Sequence, residues 1–243
     1  MKTVAVFSVK GGVGKTAIAV NLAYAAASVS GRKTLLWDLD AQGAASYMLR
    51  VVPKTGGARK LFAAKSDLSE HILATDHPNL DVLPADKSMR QLERTLAEEG
   101  GDKQLKRLLK GLGDDYDRII LDCPPGLSQL AEQVFEASDL IVVPEVPSPL
   151  SARALEQLRA HLSKHRKGKP PIIPVFSMVD RRRKLHASAI NASPSQVAIP
   201  YATGIEQMAV HRAPITSLAP TSAAAKAFAD LWRQVELALL GKG

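Results

Sequence analysis

The chain has 243 residues, 46% hydrophobic and 23% charged, which excludes a disordered or fibrous chain and allows a sizeable core. A single cysteine, Cys123, excludes a disulfide framework and a Cys-based metal site. The formal net charge of +8 points to an anionic partner.

Residues 3–9 (TVAVFSV) form the first predicted strand, and residues 16–28 an Ala-rich helix closed by Ser30-Gly31. Further strands are predicted at residues 33–38 (KTLLWD) and 79–83 (NLDVL). Residues 87–111 have helical spacing at Met89, Leu92, Leu96, Leu105 and Leu108, interrupted at Gly100-Gly101. Residues 117–122, 140–144 and 172–179 continue the strands, and 196–199 is a shorter one. From Ser222 on, Phe228, Leu231, Trp232, Val235 and Leu239 recur at helical spacing, which predicts a packed terminal helix. Apolar strands alternating with helices predict an α/β fold, a doubly wound, mostly parallel sheet with helices on both faces. No linker separates two cores, so residues 1–243 are read as one domain. The start lacks the h-region of a signal peptide, and no run reaches the about 18 apolar residues of a membrane span. The expected location is therefore cytoplasmic, without stable membrane insertion.

The chemistry gathers at the carboxyl ends of the predicted strands, where open α/β sheets bind ligands. The first strand runs into Lys10-Gly11-Gly12-Val13-Gly14-Lys15-Thr16. Glycines let successive backbone N–H groups turn inward around phosphate oxygens. The helix that follows, from Lys15 through Ala17, presents its positive end to the same phosphates. Lys15 is expected to reach the β and γ phosphates and the Thr16 hydroxyl to ligate Mg²⁺. The ordinary phosphate-loop pattern has Gly where Val9 stands.

KGGVGKT resembles the deviant Walker A motif of the ParA/MinD superfamily, whose mark is an extra lysine at the position of Lys10. The resemblance implies a P-loop ATPase that dimerises on ATP, with Lys10 crossing to the partner's nucleotide much as an arginine finger does. Residues 37–43 (WDLDAQG) are similar to the family's DxDPQG segment, with Ala41 where proline is common. Asp40 is expected to position the attacking water and Asp38 to lie nearer the metal shell. Residues 119–126 (IILDCPPG) are similar to the Walker B and switch segment. Asp122 is expected to hold Mg²⁺ through water, Gly126 to sense the γ phosphate, and Cys123 to be buried filler. The expected catalytic residues are thus Lys10, Lys15 and Asp40, and the metal residues Thr16, Asp38 and Asp122. No general-base Glu stands in these motifs, so turnover is expected to be slow and stimulated by a cargo-linked partner.

In the family the base lies near a late strand and an Ile-Pro pair. The candidates here are Met178 or Asp180, with Ile199 and Pro200; Tyr201 stands where many relatives have arginine. Residues 151–190 hold ten Lys/Arg against Glu156 and Asp180. Among them Arg181, Arg182, Arg183 and Lys184 fit nonspecific neutralisation of DNA phosphates, with Arg153, Arg159, Lys164 and Arg212 as secondary candidates. The expected function is a nucleoid-associated switch that positions DNA or a protein cargo. Its rivals are a MinD-like membrane-bound switch and a nucleotide-gated binding module with negligible turnover. An iron–sulfur reductase with the same loop needs two bridging cysteines per subunit, and Cys123 alone rules it out.

Overall fold

The computed structural model describes residues 1–53, 68–86, 103–113, 115–165 and 170–241, and β1 (Lys2–Val6) runs through the middle of its sheet. The remaining strands are β2 (Thr34–Asp38), β3 (Leu73–Ala74), β4 (Leu80–Leu83), β5 (Arg118–Asp122), β6 (Leu140–Glu145), β7 (Ile172–Val179) and β8 (Ala198–Pro200). They lie in the order β3-β4-β2-β5-β1-β6-β7-β8. Only the β3–β4 pair is antiparallel among the described strands.

Alternation along the central strands explains why both faces are covered. Ala5, Phe7, Leu35, Trp37, Ile119, Leu121, Ile141 and Val143 point to one layer, and Val4, Val6, Leu36, Ile120, Leu140 and Val142 to the other. A strand apolar on both faces must be sandwiched, so this sheet carries helices on each side. The first layer takes α3 (Gln104–Lys110), α4 (Gln129–Ala137) and α5 (Pro149–His165), through Leu105, Phe135 and Leu158. The second takes α1 (Lys15–Tyr24), α2 (Ala44–Met48), α7 (Thr203–His211), α8 (Ile215–Leu218) and α9 (Ala223–Leu239), through Leu22, Ala45, Met208, Ile215 and Phe228. Helix α6 (Lys184–Ala192) packs Ile190 against Phe176 and Val179 of β7 in a separate small cluster.

The doubly wound sheet expected from the sequence is present, with small changes at the element ends. The first strand stops at Val6, because Phe7 to Val9 already turn into the glycine loop, although Phe7 N–H still donates to Val142 O at 3.0 Å. The first helix does not run as one α-helix to Ser28; Ala25–Val29 is a π-helical turn, closed by Ser30 N–H on Ala25 O at 3.1 Å. Of the helix expected over residues 87–111, residues 87–102 lie outside the described residues, and Gln104–Lys110 is helical. The predicted terminal helix is α9, begun by Ser222, whose Oγ accepts from Ala225 N–H at 3.1 Å. Its Phe228, Leu231, Trp232 and Val235 are buried in the second layer. Arg118 and Glu236 add a two-pronged ion pair (2.6 and 3.0 Å) that ties α9 to β5. Among the described residues, no helix is long and apolar enough to cross a membrane.

Candidate nucleotide and metal site

The glycine loop connects β1 to α1 at the carboxyl end of the sheet. Gly12 and Gly14 take the left-handed conformation, at φ +69° and +84°, which side chains seldom adopt. Gly14 also faces β7, where an added Cβ would stand 2.9 Å from Ser177 Oγ. The loop therefore needs glycine there twice, for conformation and for contact. Among the described residues, no neighbour lies within 4 Å of a Cβ placed at Gly11 or Gly12, while Val13 is buried and anchors the loop. Lys15 is buried and its Nζ donates to Lys10 O at 3.3 Å. Burial lowers its pKa from the ordinary lysine value, against the opposing pull of Asp122, Asp40 and Cys123. Lys10 N–H donates to Ser8 Oγ at 3.3 Å. Its side chain makes no hydrogen bond or ion pair among the described residues.

Asp38 and Asp122 end the neighbouring strands β2 and β5 at the same register. Both are fully buried, but their surroundings differ. Asp38 Oδ2 accepts from Ser46 N–H at 2.9 Å and Ser46 Oγ at 2.7 Å, and Oδ1 from Asp40 N–H at 3.3 Å. Burial nevertheless pushes its pKa up to about 6, with the Ser46 hydrogen bonds opposing the shift. Among the described residues, neither oxygen of Asp122 has a hydrogen-bond partner. Burial and then the Asp38 charge raise its pKa well above the usual carboxylate range, while Thr16 and Lys15 draw it back. A buried, unpartnered carboxylate is costly unless a ligand completes it. With the Thr16 hydroxyl and Lys15 beside it, Asp122 fits the oxygen donor set of a magnesium–phosphate site. Asp40 is half-buried, and its Oδ1 accepts from Gln42 N–H at 3.0 Å in a short turn. Gly43 then starts α2 at φ +64°. Cys123 is buried with its thiol pKa pushed up by burial, so it is a packing residue and not a thiolate.

The structure brings Met178, Ile199 and Pro200 together around one pocket beside the phosphate loop. Gly14, Ala17 and Ile18 form the loop side, and Ser177, Tyr201, Ala202, Ile205, Glu206 and Phe228 complete the lining. Met178 is strained, at φ +54°, where the β7–β8 register slips between Phe176 and Val179. Asp180, the other candidate from β7, does not line this pocket. Sequence spacing pointed to neither Ser46 nor Glu206. Ser46 lies eight residues after Asp38 on a helix whose only local sign is Gly43.

Residues 1–173 match the family model described as an AAA domain (AAA_31). The chain is 31% identical to the sporulation initiation inhibitor protein Soj of Bacillus subtilis over 248 residues, covering 96% of this chain and 98% of that protein. The chain belongs to the ParA/MinD superfamily of ATPases. Its fold is shared with a Cyanothece McdA variant solved with ATP, at TM-score 0.83 and 23% identity over 100% of this chain and 97% of the other. It is also shared with the septum site-determining protein MinD of Pyrococcus horikoshii, solved with Mg-ADP, at TM-score 0.80 and 23% identity over 100% of this chain and 98% of the other. Nucleotide and magnesium use thus runs through the family.

In this ParA/MinD-type chain the basic segment leaves β7 directly after Val179. Arg182 is exposed, but its guanidinium is turned onto Asp180, with contacts of 2.9 and 3.0 Å. That pair holds the Asp180 carboxyl down to about 2. Asp180 N–H in turn donates to the buried His186 Nδ1 at 3.0 Å, which fixes the turn. Arg181, Arg183 and Lys184 are exposed and make no hydrogen-bonded or ionic side-chain pair among the described residues. Arg159 lines a cleft of about 540 Å³ between α5 and α6, floored by Pro174 and Phe176. Arg153, Arg159 and Lys164 stand exposed on α5, the helix across that cleft from α6. Arg212 does not belong with them. It donates to Tyr47 O at 2.9 Å and stacks 4.7 Å over the Tyr47 ring, joining α7 to α2 in the other layer.

Proposed function

We propose that the chain is one Mg²⁺-dependent ATPase domain that dimerises on ATP, binds nucleoid DNA without sequence preference as a dimer, and releases it after hydrolysis. The observation that carries the reading is Asp122: a fully buried carboxylate with two unpartnered oxygens, beside Thr16 and Lys15 at the mouth of the glycine loop. The backbone N–H groups of residues 11–16 would cradle the phosphates and Lys15 would pair with the β and γ oxygens. Thr16 and Asp122 would hold Mg²⁺, with Asp38 reaching it only through Oδ1, since Ser46 occupies Oδ2. When bound, the ion neutralises charge building on the phosphate oxygens. Asp40, half-buried at the edge of the same site, would orient the attacking water. Lys10 would add its charge to the partner's nucleotide. Positioning and charge neutralisation are then the whole of the catalysis, which suits slow turnover accelerated by a cargo-linked partner. The base would sit in the Met178–Ile199–Pro200 pocket beside Gly14. DNA phosphates would meet Arg181, Arg183 and Lys184, with the α5 cations beside them.

The membrane-bound alternative loses support from α9, whose apolar face is used inside the second core layer. A titration of the chain against duplex DNA with ATP, with ADP and with no nucleotide tests the proposal. Binding is expected with ATP alone and should fall steeply with salt. Equal binding in all three conditions overturns the switch. An Asp40→Ala variant is expected to accumulate an ATP-bound dimer that does not turn over; a variant that stays monomeric with ATP overturns the role given to Asp40.

A further inference from the structure

The pocket beside Gly14 is apolar along β8, α1 and α9, through Ile199, Ala17, Ile18 and Phe228. Its rim includes one linked polar pair. The Tyr201 hydroxyl donates to Glu206 Oε1 at 2.6 Å, which fastens the residue just after β8 to the first turn of α7. Tyr201 lines the pocket yet is 59% exposed. Nor does it join the second core layer, which takes Ile199, Ala202 and Ile205 from the same stretch and omits it. A ring excluded from the core but held by a short hydrogen bond at the edge of a pocket is poised to cover whatever enters. An aromatic face offers a flat apolar surface at little conformational cost, and planar bases stack on such faces whatever their identity.

We propose that Tyr201 is a base-binding residue whose ring covers one face of the nucleotide's base, and that Glu206 is the positioning residue that holds the ring across the pocket. This rests on the reading of the pocket as the base site. Ile199 and Pro200 form the floor, and Tyr201 adds a cover that the Ile-Pro pair cannot supply. On the proposed reading the phosphates would sit in the loop of residues 11–16, with Gly14 between them and the pocket, so the cover would act on the base and not on the phosphate loop. Stacking strengthens binding of any purine nucleotide and does not choose between adenine and guanine.

Calorimetric titration of the full chain with ATP, GTP and inorganic tripolyphosphate, each with Mg²⁺, separates the base from the phosphates. The wild-type chain is expected to bind ATP more tightly than tripolyphosphate. Tyr201→Ala is expected to weaken ATP and GTP by roughly tenfold and to leave tripolyphosphate unchanged. Tyr201→Phe keeps the ring and should retain most of the affinity, while Glu206→Ala should lose part of it for ATP and none for tripolyphosphate. Wild-type ATP affinity in Tyr201→Ala, or an equal loss for tripolyphosphate, overturns the proposal. If the wild-type chain binds ATP no better than tripolyphosphate, the base-site reading has failed before any variant is made, and the cover falls with it.

Discussion

The carboxyl ends of β2 and β5 look alike in sequence and differ in structure. Each strand closes on an aspartate, and the two stand side by side in a parallel pair. Asp38 is satisfied from within, by the N–H and hydroxyl of Ser46, and so it holds the loop after β2 against α2. Asp122 is left with both oxygens unpartnered. Two identical groups at one register thus differ in their partners: one is tied into the loop after its strand, and the other has no hydrogen bond among the described residues. The apo protein bears the cost of keeping the second one buried.

The largest effect is expected at Lys15, the buried cation that draws the Asp122 pKa down. Lys15→Ala should weaken ATP binding by roughly a hundredfold or more, because a charge-assisted contact to phosphate is lost in a buried site; equilibrium titration with ATP measures it. Retained tight affinity would break the phosphate-loop assignment itself.

Asp122→Asn should separate function from stability. Hydrolysis should fall by roughly a hundredfold if Asp122 holds the metal as proposed, while the nucleotide-free chain should gain up to about 1–3 kcal/mol, because a buried carboxyl without a hydrogen-bond partner no longer has to be accommodated. Turnover assays and chemical denaturation read the two halves. A variant that is both active and less stable would break the contrast with Asp38.

The contrast also predicts a pH dependence. Asp38 is raised from an ordinary 3.8 to about 6, so between those values the folded chain holds a proton that the unfolded chain has released. Stability of the nucleotide-free chain therefore falls as pH rises through that window and recovers as pH drops towards 3.8. Asp122 acts in the same direction. Thermal unfolding should give a midpoint a few degrees higher near about pH 5 than near about pH 7.5, with Asp38 contributing on the order of 1 kcal/mol. Asp38→Asn should flatten the profile, and an unchanged slope would remove Asp38 as its source.

Smaller effects sharpen the picture. Ser46→Ala, which takes one of two donors from Asp38 Oδ2, should cost about 1–2 kcal/mol in denaturant unfolding. Smallest is the difference within the basic segment. Arg181→Ala and Arg183→Ala should each reduce the salt slope of DNA binding by about one, and Arg182→Ala by less, because Arg182 already pairs with Asp180. Equal losses at all three positions would mean that DNA displaces that pair.

Much of this was legible in the chain because it is local. Strand runs such as Ile119-Ile120-Leu121 show their burial on both faces through composition alone, and KGGVGKT shows its loop because Gly12 and Gly14 must take left-handed backbone. The helices α2 and α6 were less legible: they are short, and their apolar positions are few. The site was legible to the level of residue type at strand ends and no further.

What the sequence determined by itself is the parallel α/β architecture, the phosphate loop and the acids beside it. Backbone preference and hydrophobic period act over a few residues, and they need no knowledge of the partner strand. Only the tertiary structure decided which aspartate is satisfied and which is left open, because Ser46 of α2 is carried onto Asp38 while no described donor is set within hydrogen-bond geometry of Asp122. The same holds for Gly14 against Ser177, for Tyr201 held by Glu206 at the rim of the pocket, and for Arg212, drawn to Tyr47 in the layer opposite α5. Each of these depends on which chain segments the sheet order β2-β5-β1-β6-β7-β8 sets side by side, and hydrogen bonds and charge act only at that short range.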